Sequence, residues 1–196
     1  GGQFKSVILK SNVESSVVFS NLGADNYSVN GVYSGTVNYD MVSWKGSVIV
    51  SKAVSSVSIS SVNSVVYPNV VNVVFNVVNP TVVSYVVKSN SGKVVVSNTT
   101  LTNLGKLALN LDVGDYMIFI SNENNENCTG SIAQSSFSVL KATPKITLST
   151  SNVVYPNDVV VKVKSDVAGS YVVKVGGQFK SVILKSNVES GVVFSN

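Results

Sequence analysis

The 196-residue sequence contains no histidine, no arginine and only one cysteine. Without histidine there is no imidazole base, no Ser-His-Asp triad and no histidine ligand for a metal. Without arginine the chain lacks the planar, bidentate group that usually recognises phosphates and base edges. All fourteen basic residues are lysines, scattered singly along the chain. We therefore expect no nucleic-acid partner, no enzymatic activity and no cofactor.

Two further absences concern cross-links and membranes. Cys128 is the only cysteine, so a disulfide within the chain is excluded. No apolar run approaches the ~18 residues of a membrane-spanning helix, so we expect no membrane span in this segment. Charged residues make up only 12% of the chain, whereas Val, Ser and Asn are abundant. Serine and asparagine solvate a surface without charge.

What the chain has instead is the alternating pattern of β-strands. In VVNVVFNVV, residues 70–78, Val71, Val73 and Phe75 share one face, and Asn72 and Asn76 lie on the other. Valine favours strands because its branched Cβ packs well on a pleated sheet. We predict an all-β fold without helices. In the middle of the chain seven strands are expected, near 55–60, 70–78, 81–88, 92–97, 105–111, 114–121 and 131–140.

The chain repeats itself at two periods. Residues 1–21, GGQFKSVILKSNVESSVVFSN, return as residues 176–196, where the only change is Gly191 in the place of Ser16. A weaker repeat has about half that period, since VVYPN and SYVVK each occur twice. Repeats of this length indicate modules joined end to end.

The repeats divide the chain into three parts. Residues 1–52 are the second half of one module, residues 53–141 are a complete module, and residues 142–196 are the first half, and a little more, of the next. We expect the last part to be completed by a neighbouring copy equivalent to residues 22–52. Two arrangements remain open: a continuous polymer of which this sequence is one window, or separate chains that exchange strands.

A family resemblance lies in LGADNYSVNGVYSGTVNYDMVSWKGSVIVSKA, residues 22–53. This segment resembles the second half of bacterial and archaeal Ig-like tandem repeat domains of cell-surface adhesin-like proteins. Such domains carry Gly-x-Tyr before a strand, followed by Tyr-x-Gly and Asn-Tyr. The matching residues here are Tyr27, Tyr33, Gly35, Asn38 and Tyr39. The middle module keeps Gly114-Asp115-Tyr116 and then departs, with SNENNENCTGS in place of the later motifs.

The resemblance implies tandem immunoglobulin-like β-sandwiches of about seven strands each, arranged as a linear array. It implies a structural function, as a spacer, stalk or filament segment of an extracellular adhesin-like protein. The chain is similar in composition to archaeal members of this group. Its expected partners are further copies of itself. The alternative is a module whose loops bind a cell-surface glycan or another cell. Tyr33, Tyr39 and Trp44 would then form the aromatic cluster that stacks on sugars.

Few residues are candidates for a specific site. Tyr27 and Tyr116 stand where a corner tyrosine buries its ring and returns its hydroxyl to the backbone. Glu123 and Glu126 lie in a polar loop with several amide oxygens, which makes it a weak calcium candidate. Sequons for N-glycosylation begin at Asn26, Asn98 and Asn127, a number no higher than chance would give. Asn26 is the least suitable, because it adjoins a corner tyrosine.

Overall fold

The computed structural model of the chain describes residues 2–99 and 105–195. The prediction of an all-β chain is confirmed, since these residues form fifteen strands and no helix. Consequently none of the described segments is a helix that could cross a bilayer. The contacts divide the chain into two compact units, Gly1–Leu140 and Lys141–Asn196.

The first two strands of the first unit form an antiparallel hairpin, which we call the open hairpin. Its strands are β1 (Asp25–Tyr33) and β2 (Val42–Val50). They pair over their full length, from Asp25 opposite Val50 to Tyr33 opposite Val42. Gly35 in the connecting turn has φ +79°, and a Cβ there would lie 2.7 Å from the Tyr39 carbonyl oxygen. The turn therefore requires glycine at this position.

The rest of the first unit is the middle module, which forms two sheets. Its strands are β3 (Ser56–Val62), β4 (Val65–Val66), β5 (Val71–Val78), β6 (Val83–Ser89), β7 (Val94–Asn98), β8 (Lys106–Leu109), β9 (Gly114–Asn122) and β10 (Ser131–Leu140). One sheet has the order β4-β10-β9-β6-β7 and the other the order β3-β5-β8. All neighbours are antiparallel except β4 and β10. The structure thus has a strand near each of the seven expected positions and adds the two-residue β4.

The core of the middle module takes alternate residues from both sheets. The three-stranded sheet contributes Val71, Val73 and Phe75, which are at most 2% exposed. The five-stranded sheet faces them with Val83, Tyr85, Val87, Tyr116, Ile118, Ile120, Phe137 and Val139. The faces that the alternation assigned to the core in β5 are therefore the buried ones.

The second unit, which we call the C-terminal unit, has five strands in two small sheets. They are β11 (Ile146–Thr150), β12 (Val159–Ser165), β13 (Gly169–Val175), β14 (Gln178–Leu184) and β15 (Ser190–Phe194). One sheet has the order β11-β12-β15, and the other consists of β13 and β14. Their buried side chains form a core of their own: Val161, Val163, Val173, Leu184, Val192 and Phe194.

The two copies of the repeated stretch differ in structure. Residues 178–184 and 190–194 are strands β14 and β15, whereas residues 2–20 contain no strand. The turn at the middle of the stretch is nevertheless the same in both copies: Asn12 has φ 56° and Asn187 has φ 61°. In each copy the glutamine amide also donates to a serine carbonyl 17 residues later, Gln3 to Ser20 and Gln178 to Ser195. The local turn therefore forms in both places, and the strands form only where neighbouring strands are present.

Candidate functional site: the junction loop and the open hairpin

The loop of residues 122–130, which we call the junction loop, holds the segment that connects the open hairpin to the middle module. The Ala53 amide donates to the Asn127 carbonyl at 2.8 Å, and the Thr129 amide donates to the Ala53 carbonyl at 2.9 Å. Next to them, the Ser55 amide donates to Thr129 Oγ1 at 3.0 Å. The two backbone bonds form an isolated β-bridge between Ala53 and Cys128, so the connection is part of the folded structure and not a free linker.

Side chains add a second set of bonds at the same place. Lys52 Nζ donates to Asn124 Oδ1 at 3.1 Å and to the Asn125 carbonyl at 2.6 Å. Asn127 Oδ1 accepts from the Ala24 amide at 2.7 Å. The junction loop is therefore hydrogen-bonded to the chain just before β1, at Ala24, and just after β2, at Lys52. Its sequence lies in the segment SNENNENCTGS, which differs from the corresponding residues of the open hairpin, and this difference is the signal in the sequence that the loop has a separate role.

The calcium candidates Glu123 and Glu126 lie in the junction loop and are exposed. The amide oxygens around them already accept protein hydrogen bonds: Asn125 Oδ1 accepts from the amides of Asn127 and Cys128 at 2.9 and 2.7 Å. Within the part of the chain that the structure describes, no three acidic, cysteine or histidine residues come close enough to hold a metal. The Asn125 side chain is thus engaged within the loop, and calcium binding at Glu123 and Glu126 stays a prediction.

The three sequon asparagines lie in different settings. Asn26 is exposed on β1, and its backbone amide donates to Asp25 Oδ1. Asn98 is exposed at the end of β7, and the Thr100 of its sequon lies outside the described residues. Asn127 is exposed but packs against Gly23, where an added Cβ would lie 2.9 Å from Asn127 Oδ1. Glycosylation at all three stays a prediction.

Tyr27 and Tyr116 have the same hydrogen bond. The Tyr27 hydroxyl donates to the Gly23 carbonyl at 3.0 Å, and the Tyr116 hydroxyl donates to the Asp112 carbonyl at 2.8 Å. In both cases the acceptor lies four residues before the tyrosine, so each bond ties the start of a strand to the preceding turn. Burial, and to a lesser extent the Asp112 carboxylate, raises the pKa of the Tyr116 hydroxyl above its ordinary value.

The open hairpin has one apolar and one polar face. Directly opposite residues project to the same side, so one face carries Asp25, Tyr27, Val29, Gly31, Tyr33, Val42, Trp44, Gly46, Val48 and Val50, with Asp25 at its end as the one charged member. We call this set the apolar face. It is largely open to solvent: Val29 is 41% exposed, Val48 45% and Trp44 53%. The other face is mostly serine, asparagine and lysine. An exposed, contiguous apolar face of this kind is a candidate interaction surface.

The proposed aromatic cluster is only partly brought together. Tyr33 and Trp44 share the apolar face, and the Trp44 indole lies over Gly31 so closely that a side chain at Gly31 would collide with it. Tyr39 is in the turn, where its backbone pairs with Thr36, and its side chain is 71% exposed. Valines continue the surface on from Trp44, so the aromatics belong to a long apolar stripe.

No protein-family model matches the chain, and no curated protein matches it with significance.

Proposed function

We propose that the chain is a structural segment of an extracellular, tandem-repeat adhesin-like protein. In this proposal each module is an immunoglobulin-like β-sandwich, and successive modules form a stalk, spacer or filament with a 175-residue period. The sequence repeats and the two sheets that share one core in the middle module support it. The function is mechanical, because the number of hydrogen-bonded sandwiches determines the length of the stalk and the sandwiches resist extension.

The single observation that carries this proposal is the junction between the open hairpin and the middle module. A stalk needs stiff connections, and here the connecting residues 52–55 are hydrogen-bonded to the junction loop by both backbone and side chains. Each such bond contributes about 0.5–1.5 kcal/mol. Several acting together keep the connection in one conformation.

The alternative function is recognition of a glycan or another cell through the hairpin. The observation that favours it is the exposure of Trp44 and Tyr33 on one face. A glycan array with the intact chain, compared with Trp44→Ala, tests this alternative. Binding that disappears with the tryptophan would support it.

The test of the structural function is electron microscopy of four tandemly linked 175-residue repeats. The expected particles are straight and extended, with two domains in each repeat. Compact or randomly bent particles would contradict a stalk.

A further inference from the structure

The middle module provides a template for the C-terminal unit. The pairings β11–β12, β12–β15 and β13–β14 repeat the pairings β3–β5, β5–β8 and β6–β7. One difference concerns β13: its counterpart β6 has a second neighbour, β9, whereas within residues 141–195 β13 pairs only with β14. One edge of β13 therefore presents backbone amides and carbonyls ready to pair with a further strand.

The open hairpin has the form of the pair that would fill this place. A shift of 89 positions converts its whole register into that of β9 and β10: Tyr27 opposite Val48 becomes Tyr116 opposite Phe137. The corner hydrogen bond of Tyr27 also matches that of Tyr116. The hairpin thus has the strands that the template contains and the C-terminal unit lacks.

We propose that the open hairpin of one copy of this chain completes the C-terminal unit of a second copy, with β1 pairing antiparallel to the free edge of β13. The repeated SYVVK aligns β13 with β6, and the shift of 89 positions aligns β1 with β9. When the β6–β9 register is transferred through these alignments, Tyr33 lies opposite Gly169, Val29 opposite Val173 and Tyr27 opposite Val175. The apolar face then covers the core around Val173 and Leu184. This pairing names the partner within the array proposed above and rests on that function.

The side chains of the apolar face suit that position. In the middle module the large Ile120 on β9 lies opposite the small Ala133 on β10. In the hairpin the sizes are exchanged, with Gly31 opposite Trp44. The Trp44 indole lies over Gly31 and fills the space that an isoleucine at that position would take. At this pair the large side chain is therefore moved from one strand to the other and not lost, which keeps this part of the core filled.

Charge and hydrogen bonding also favour a second copy over a sugar. The one charged side chain on the apolar face is Asp25, at its end, and the register places Lys174 beside the neutral Ser28, so no like charges oppose each other. A glycan needs several polar groups in the surface that binds it, whereas this face is a stripe of valines and aromatics. A strand edge and an apolar core are what such a face complements.

Residues 2–20 are not part of the proposed interface. In the C-terminal unit the identical residues 177–195, apart from Gly191, already supply β14 and β15. A second copy therefore contributes only the open hairpin.

The register is tested by disulfide formation between two single-cysteine variants, both made in the Cys128→Ser background. One carries Asn30→Cys on β1 and the other Val172→Cys on β13, positions that the register places directly opposite on the exposed side. The control is Ser181→Cys on β14, which lies opposite Val172 on its other side and so two strands from β1. Two strand spacings are about 9–10 Å, too far for a disulfide.

Each β13 or β14 variant is mixed with Asn30→Cys in a glutathione buffer, and linked peptides are quantified by mass spectrometry. We expect the Asn30–Val172 linkage to form about tenfold faster than the Asn30–Ser181 linkage. Equal rates, or no linkage between chains at positions 30 and 172, would overturn the pairing.

A second pair of variants separates the apolar face from general surface effects. Val29→Lys places a charge on the apolar face, and Ser47→Lys places the same charge on the polar face of β2. In sedimentation velocity, Val29→Lys should abolish association and Ser47→Lys should preserve it. Equal behaviour of the two variants would overturn the proposal.

The outcome is separable from that of the stalk function. Straight tandem particles without the Asn30–Val172 linkage would mean that the array stands and this pairing is wrong. The linkage without straight particles would mean that the pairing is right and the stalk is wrong.

Discussion

Leu184 is 1% exposed, and Leu9, which occupies the same position in the earlier copy of the same sequence, is 61% exposed. The five residues on either side of each leucine are identical. The difference therefore comes from the surroundings: Leu184 lies in a core with Val161, Val163 and Val192, whereas residues 2–20 form no strand and pair with none. This pair of residues separates what the local sequence determines from what tertiary contacts determine.

In the first prediction Leu184→Ala is the test and Leu9→Ala is its control. Leu184→Ala removes a fully buried side chain from a small core, and we expect a loss of about 2–5 kcal/mol in the stability of the C-terminal unit. Leu9→Ala, in an identical local sequence, should change stability by less than about 0.5 kcal/mol. Hydrogen exchange of the amides in β12 and β13 measures both effects. Equal effects of the two substitutions would show that both copies are packed alike.

The sequence predicted the strand positions best where the alternation is clear, as in β5. Val71, Val73 and Phe75 are spaced by two, and all three are buried. The same alternation is present in the hairpin, where Tyr27 and Val29 share a face with Val48 and Val50. Alternation identifies an apolar face but does not say what covers it, so the exposure of Val29 and Val48 could not be read from the pattern.

The junction loop could not be predicted in the same way. Asn127 was identifiable only as part of a sequon, and Lys52 only as a surface lysine. Their role depends on contacts across 73 to 103 residues of sequence, between Lys52 and Asn125 and between Ala24 and Asn127. No short-range pattern encodes such a contact. The two-residue β4 was also missed, because two residues are too few to show a period.

The second prediction concerns the stiffness of the junction. Lys52→Ala removes the two hydrogen bonds that Nζ makes to Asn124 and Asn125, worth about 0.5–1.5 kcal/mol each. We expect amide exchange at residues 52–55 to become several-fold faster, with no change in the core of the middle module. Lys106→Ala, an exposed lysine on β8, is the matched control and should leave residues 52–55 unaffected. No acceleration in Lys52→Ala would mean that the backbone bonds alone hold the junction.

The third prediction concerns the corner tyrosine of the middle module. Tyr116→Phe keeps the ring but loses the 2.8 Å bond to the Asp112 carbonyl, so we expect the free energy of unfolding to fall by about 0.5–1.5 kcal/mol. Urea unfolding followed by circular dichroism measures the change. Tyr39→Phe, whose ring is 71% exposed, should have almost no effect.

The stability difference between the native chain and Tyr116→Phe should depend on pH, because the pKa of Tyr116 is raised. Because the folded state holds this proton more tightly than the unfolded state, the stabilising effect is complete below the ordinary tyrosine pKa of about 10. It is lost as the pH rises from there through the pKa of the folded state. We therefore expect the stability difference between the native chain and Tyr116→Phe to shrink above about pH 10. A difference that grows with alkaline pH would contradict the raised pKa.

The central claim is that the half-modules of this repeat complete one another, and Trp44 reports on it directly. Trp44 is the only tryptophan, and it is 53% exposed on the apolar face. Its fluorescence should therefore be measured over a wide range of protein concentration, together with the sedimentation coefficient, for the native chain and for Val29→Lys. The account predicts that the emission of the native chain shifts to shorter wavelength as the sedimentation coefficient increases, and that Val29→Lys shows neither change. A constant emission wavelength, whether the chain stays monomeric or associates without burying Trp44, would contradict it.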